Sequence, residues 1–199
     1  MELVHFKVIT VVYLSALTPI FVMLWLHFQG KLSRKILIVY IGTFLACALG
    51  FELWFTYGLI DGDNVNSRRH PVLSHYIPLH VNWLLNSLAD AGSIGLGAIL
   101  LLKLVFKTDD VLERWHWGAF GVISLWLIGQ NIGVELFLYN DQLADGKQLS
   151  WAPLAPLGPW YNTAFFSYND RSLTIQGQMP WLLMTPIFYW GVIQVWRRN

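Results

Sequence analysis

Five uninterrupted apolar blocks, each long enough to cross a bilayer as a helix, constrain this chain more than any other feature of its sequence. They run over Phe6–Phe28, Ile36–Tyr57, Val81–Phe106, Trp115–Tyr139 and Met179–Trp196. At about 1.5 Å per helical residue, blocks of this length match a hydrocarbon core of about 30 Å. Backbone N–H and C=O groups in lipid need partners within the fold, and a helix supplies them within one segment. The expectation is an all-α fold, a polytopic integral membrane helical bundle of about five transmembrane helices, forming a single domain over residues 1–199. The last block is the shortest and carries Pro180 and Pro186; it reaches back toward Ser172 if Gln176 and Gln178 belong to its first turns. The first block lacks a basic n-region followed by a small-residue cleavage site, so it is expected to be retained.

Composition agrees with the blocks. Charged residues make up 13% of the chain, about half the share of a soluble domain. A net charge of +1 gives no general affinity for nucleic acid. Cys47 is the single cysteine, which excludes an internal disulfide and a thiolate metal cage and leaves a small packing residue.

Basic residues set the expected orientation. Lys31, Arg34 and Lys35 follow the first block, Lys103, Lys107 and Arg114 surround the end of the third, and Arg197 and Arg198 follow the fifth. These eight of the thirteen Lys and Arg residues share one side if the spans are odd in number. That side is then cytoplasmic, with the N-terminus outside and the C-terminus cytoplasmic. The two long connections, residues 58–80 and 140–178, face outward. Trp25, Trp115, Trp117 and Trp196 would mark the inner interface, and Trp83 and Trp181 the outer one. Small residues at spacings of four (Gly42, Ala46 and Gly50; Ala91 and Gly95; Ser93 and Gly97; Gly129 and Gly133) are expected to let helix backbones approach closely.

The polar residues within the blocks form a pattern. Asn82, Asn86 and Asp90 are four apart and line one face of a helix, as do Asn131 and Glu135, with Gln130 beside them. Glu52 lies six residues before Gly58, about 9 Å below the outer end, and Glu135 is at a similar depth. Three acids on three helices therefore share the outer half of the membrane. A carboxylate at the centre of a span costs about 2.5–3.5 kcal/mol, so such groups face the bundle interior or a wet cavity. No Lys or Arg lies deep within a block. The acids are then expected to bind amides, to carry a proton or to hold a cation, unless the polar network only fixes helix register.

A weak internal repeat relates Gly50-Phe51-Glu52-Leu53-Trp54-Phe55 to Gly133-Val134-Glu135-Leu136-Phe137-Leu138. Each copy leads to a Tyr and then an acidic-Gly pair, Asp61-Gly62 and Asp145-Gly146. In the outer connections, Trp151–Trp160 is rich in Trp and Pro and would serve as a lid or as an interface belt. His70, His75 and His80 recur every five residues, a spacing that does not share a helical face, and Pro78 interrupts it. Solvated loop histidines are the plain reading, with a divalent-metal site formed by His75, His80, Glu52 and Asp90 as its rival. His27 and His116 fit interface positions better than haem ligation. No metal site is assigned and no cofactor is indicated: phosphate-binding glycine loops, zinc signatures and nucleophile elbows are absent from the sequence.

The leading expectation is a membrane enzyme acting on a lipid-soluble substrate, isoprenoids among them, by acid–base chemistry such as isomerisation or cyclisation. A desolvated carboxylic acid can protonate an alkene or epoxide while aromatic faces stabilise the cation. Glu52, Asp90 and Glu135 are the candidate catalytic residues, and Asn82, Asn86, Asn131, Trp54 and Trp83 the candidate substrate-binding ones. The alternatives are a small pigment-, quinone- or partner-binding subunit of a larger membrane complex, and a proton- or cation-coupled transporter. Expected partners are membrane lipid, a lipid-soluble small molecule or other membrane subunits.

Overall fold

The apolar blocks become helices that break where the sequence supplies a reason. The computed structural model describes residues 2–58, 63–145, 147, 164–169 and 171–197. Helix α1 (Leu3–Phe28) runs through Pro19. Proline has no N–H, so the carbonyl of Ser15, four residues earlier, lacks its helical donor. Ser93 supplies one, its Oγ donating to Ser15 O at 2.7 Å. Gly92 lies directly under Pro19, where a Cβ would overlap the proline ring. One proline, one serine and one glycine thus pin α1 to the third apolar block.

The second block bends by 45° between α2 (Arg34–Leu49) and α3 (Phe51–Tyr57). The bend falls at Gly50, where a Cβ would stand 2.5 Å from Ala46 O. A break frees carbonyls at the end of α2, and Trp83 Nε1 donates to one of them, Ala48 O, at 2.8 Å. Two short helices follow, α4 (Val65–Arg68) and α5 (Pro71–Tyr76).

The third block is a continuous run, Leu79–Phe106, made of α6 (Leu79–Ala89), a π-helical segment π1 (Asp90–Leu96) and α7 (Gly97–Phe106). A short α8 (Asp110–Glu113) leads to the fourth run, Trp117–Gln142. This run joins α9 (Trp117–Val134), a second π segment π2 (Glu135–Tyr139) and a 3-10 turn (Asn140–Gln142). The wider π turn disturbs the backbone ladder, and side chains bond the carbonyls there. Asn140 donates to Glu135 O at 2.7 Å, Arg171 to Leu136 O at 2.7 Å and Lys7 to Phe137 O at 2.9 Å. Lys7 and Arg171 also meet Asp141, each at 2.5 Å. This clasp ties α1, the end of the fourth run and the chain before the last helix at one end of the bundle.

Three described helices are long and apolar enough to cross a membrane, Leu3–Phe28, Leu79–Phe106 and Trp117–Gln142, and the bent α2–α3 pair is a fourth candidate. Helix α10 (Ile175–Arg197) is long enough but less apolar, carrying Gln176, Gln178, Thr185 and two prolines. It packs on α9 and α2 through Trp181, Phe188, Val192, Ile193 and Trp196. At the end opposite the clasp, Lys35 donates to Trp196 O at 2.9 Å and Arg197 to Glu113 O at 2.6 Å. Tyr189, fully buried, donates to Val111 O at 2.8 Å.

Three expectations need correction. The fold is mostly helical but not all-α: β1 (Ala164–Tyr168) and β2 (Arg171–Thr174) form an antiparallel hairpin leading straight into α10. Alternating side chains in an aromatic-rich connection allow such a hairpin, and no long apolar block covers these residues. Second, of the stripes of small residues only the one on the third run packs closely on a neighbouring helix. Gly92, Gly95 and Gly97 press on Pro19, Thr43 and Trp126, whereas Gly42, Gly129 and Gly133 face open space. Third, residues 63–78 are not a plain outer loop: Arg68 and Arg69 fold back into the bundle and are 3% and 2% exposed. The segment Trp151–Trp160 and the Gly62 and Gly146 ends of the repeat lie outside the described residues.

Candidate functional site

The first turn of π1 carries Asp90, and the first turn of α3, just past the bend of the second block, carries Glu52. Both are buried, and each keeps one carboxyl oxygen, Asp90 Oδ2 and Glu52 Oε2, without a hydrogen-bond partner. The two acids act on each other electrostatically. Asn86, one helical turn before Asp90, approaches the Glu52 carboxyl group, as does Thr56 on the helix of Glu52 itself. Cys47 sits beside both acids and is closed off from solvent.

Glu135 opens π2 and is placed differently. Its Oε1 accepts from Thr174 N and Thr174 Oγ1, both at 2.8 Å, and its Oε2 accepts from Gln178 Nε2 at 2.5 Å. Gly177 packs so closely on this carboxylate that a Cβ there would overlap it. The hairpin end and the start of α10 are thus fastened to α9 through one side chain. Asn131, one turn before Glu135, donates to Gly177 O at 2.8 Å and strengthens the same joint.

Two cavities meet here. The larger, about 260 Å³, has apolar walls from Val11, Val12, Ile94, Trp126, Val134, Leu138 and Trp181, and polar lining from Ser15, Asn86, Asp90, Ser93, Gln130, Asn131 and Tyr139. The smaller, about 30 Å³, touches Glu52, Phe55, Glu135 and Gly177. Asn131, Tyr139 and Trp181 belong to both. Tyr139 stands between the groups of acids: its phenol feels Glu52, Asp90, Glu135 and Arg68 electrostatically, and its ring lies 4.7 Å from that of Phe55.

Sequence reasoning missed Tyr139 and the two arginines. Tyr139 ends an apolar block and resembles an interface aromatic until π2 turns it inward. Arg68 sits over the Phe55 ring at 5.0 Å, donates to Phe55 O and keeps Nε unpartnered. Burial pulls its guanidinium down to about 10, opposed by Tyr139, Asp63 and Glu52. Arg69 is also brought to about 10 by burial and by the like charge of Arg68. Both remain cationic at neutral pH, so a basic residue does stand near Glu52, delivered by a connection rather than by a span.

Comparison of the chain with protein-family models, with curated proteins and with solved structures gives no match. The reading of the site therefore rests on its geometry.

The remaining candidate residues separate. Asn82 shares a helical face with Asn86 and Asp90 but meets no acid directly, accepting from Arg69 Nη1 at 2.9 Å and donating at 3.2 Å to Thr56 Oγ1, which links it to the Glu52 side. Arg69 is held further by Ser74, Asn66 and Ile77 O, which makes this a structural knot over the bundle. Trp83 braces the α2 bend, and Trp54, half-buried, lines neither cavity. Trp181 and Trp196 are buried rather than placed as surface anchors. Among the histidines, His70 stacks on His5 with ring centroids 4.3 Å apart, and His80 shares a 2.8 Å hydrogen bond with Tyr57. His116 caps α9, accepting from Ala119 N at 3.3 Å. No group of three His, Cys, Asp or Glu arranged to hold a metal occurs among the described residues.

Proposed function

We propose that the protein is a membrane-embedded enzyme that moves protons within a lipid-soluble substrate, with Asp90 and Glu52 as the acid–base pair. The observation that carries this reading is an apolar cavity ending at a buried carboxyl oxygen with no partner of its own. A carboxyl group that serves only structure is normally saturated with donors, because an unsatisfied buried polar atom costs about 1–3 kcal/mol or more. Asp90 and Glu52 together would supply a proton to one carbon or oxygen of the substrate and remove one from another. Such a step is an isomerisation or cyclisation with no net change of oxidation state. Asn86 and Asn131 hold the polar end, and the faces of Trp126, Trp181 and Tyr139 stabilise positive charge formed along the way. Glu135 has a positioning role in this scheme rather than a chemical one.

The same reading takes the chain across the bilayer five times, α10 being the fifth span, with the N-terminus outside. At about 1.5 Å per residue its 23 residues measure about 34 Å. Support comes from the junction of Lys35, Glu113 and Arg197, which gathers the basic chain ends at one end of the bundle. Cysteines placed at Asn64 and Lys147 should react with an impermeant reagent from outside, and one at Ser33 should not. Labelling of all three from one face would rule out this topology.

The chemistry is tested by incubating the purified protein with a membrane lipid extract and following the products by mass spectrometry. Asp90→Asn and Glu52→Gln are each expected to lower conversion by at least a hundredfold, within the usual range for removing a general acid or base. Wild-type conversion by both variants would refute the acid–base role.

A further inference from the structure

The larger cavity has an open side. Helix α1 packs on α6 and π1 and meets the fourth run at the 3-10 turn, while α9 packs on α7 and α10; α1 and α9 do not pack along their length. The cavity lies in the gap between them. Its floor is α6 and π1, and the Lys7–Asp141 ion pair ties the gap together at one end. Toward the other end, Trp126 crosses to π1, donating to Ile94 O at 3.0 Å and pressing on Gly97. One end of the gap is therefore bridged, α9 is fixed to the floor at the other, and the floor is filled. Val11 both lines the cavity and is 40% exposed on the apolar outer surface of the bundle, which places the opening on the side that would face acyl chains.

From this arrangement we infer that the cleft binds a long, uncharged amphiphile with one hydrogen-bonding group at its end, an alcohol, aldehyde or ketone, and takes it sideways from the bilayer between α1 and α9. This rests on the function proposed above and specifies its substrate class. Three observations choose the class. Along α9 the lining extends from Trp126 to Tyr139, about 20 Å at the helical rise, which suits a chain rather than a compact ring. Of the polar side chains in the lining, Ser15, Ser93, Gln130 and Asn131 each already donate to a backbone carbonyl, whereas Asp90 Oδ2 has no partner, which suits a single polar head placed there. Among the described residues neither Lys nor Arg lines the cleft, so an anionic head would be desolvated beside a carboxyl group without a counter-ion.

The test uses photolabelling of the full chain in liposomes, which needs no turnover. The probes are a diazirine-bearing long-chain alcohol and the sulfate ester of the same chain. The expected result is labelling by the alcohol at Val12, Val134 or Leu138 that unlabelled alcohol competes away. The sulfate should label these positions at least tenfold less. Val134→Trp, which fills the cleft, should remove the competed labelling, and Leu125→Trp on the exposed face of α9 should not. Labelling spread evenly over lipid-facing residues such as Leu104 and Leu125, without competition, would overturn the site. Equal competed labelling by the sulfate would overturn the uncharged class. Loss of labelling alongside amide variants that still abolish conversion would leave the acid–base pair standing and remove only this cleft.

Discussion

The two π segments of this protein both begin on a buried acid, and they treat it in opposite ways. Around Glu135 every available contact is a donor: a backbone N–H, a hydroxyl and a side-chain amide converge on its two oxygens. Around Asp90 and the neighbouring Glu52, one oxygen each is buried with nothing to bond, and a cavity begins where a partner would stand. The same residue chemistry is thus used once as a fastener and once as an open valence. A buried carboxylate therefore says little by itself; the number of donors facing it separates structure from chemistry.

The contrast is sharpest in stability. Replacing Glu135 by Ala strips three donors of their acceptor. With about 1–3 kcal/mol for each buried donor left unpaired, a loss of about 3 kcal/mol or more is expected in equilibrium unfolding in mild detergent. Glu135→Gln should also destabilise, because its amide nitrogen would face donors at Thr174 or Gln178. An unchanged unfolding midpoint for both variants would erase the distinction between the two regions. Gly177→Ala acts on the same joint from the other side. Its Cβ must displace the Glu135 carboxylate, and about 1–3 kcal/mol is the usual cost of such overpacking. A neutral result would mean that the hairpin and α10 are not held there.

At the other site the expected change is smallest. Asp90→Asn and Glu52→Gln remove an ionisable group without taking an acceptor from any donor that depends on the unpartnered oxygen. Stability should stay within about 1 kcal/mol of wild type, or rise, as it often does when a poorly paired buried ionisable group is replaced. A fall of about 3 kcal/mol would show that these acids, too, are fasteners and would return the protein to a purely structural network.

Much of this was legible in the sequence, and the parts that were not share a cause. Block lengths identified the long helices to within a few residues, since α1 covers Leu3–Phe28 and the third run Leu79–Phe106. The period of the helix placed Asn86 with Asp90 and Asn131 with Glu135 on common faces. The same argument put Asn82 on the face of Asn86 and Asp90, but it had no means of showing that Arg69, from the connection before that helix, takes up the Asn82 amide. The glycine spacings were equally visible on three helices, yet one run alone uses them for close packing, where Pro19 supplies the matching surface.

Hydropathy and helical rise are properties of neighbouring residues, so the sequence by itself determined where the long apolar helices run and which polar residues share a helical face. Whether an acid finds donors depends on groups far along the chain. Thr174 and Gln178 come to Glu135 from about forty residues away, and Arg68 reaches the Glu52 neighbourhood by folding back from a connection. Tyr139 turns inward because π2 shifts the side-chain phase that a regular helix would have given it. Only the tertiary structure decided these matters, since a hydrogen bond is satisfied by whatever the fold brings within about 3 Å of it.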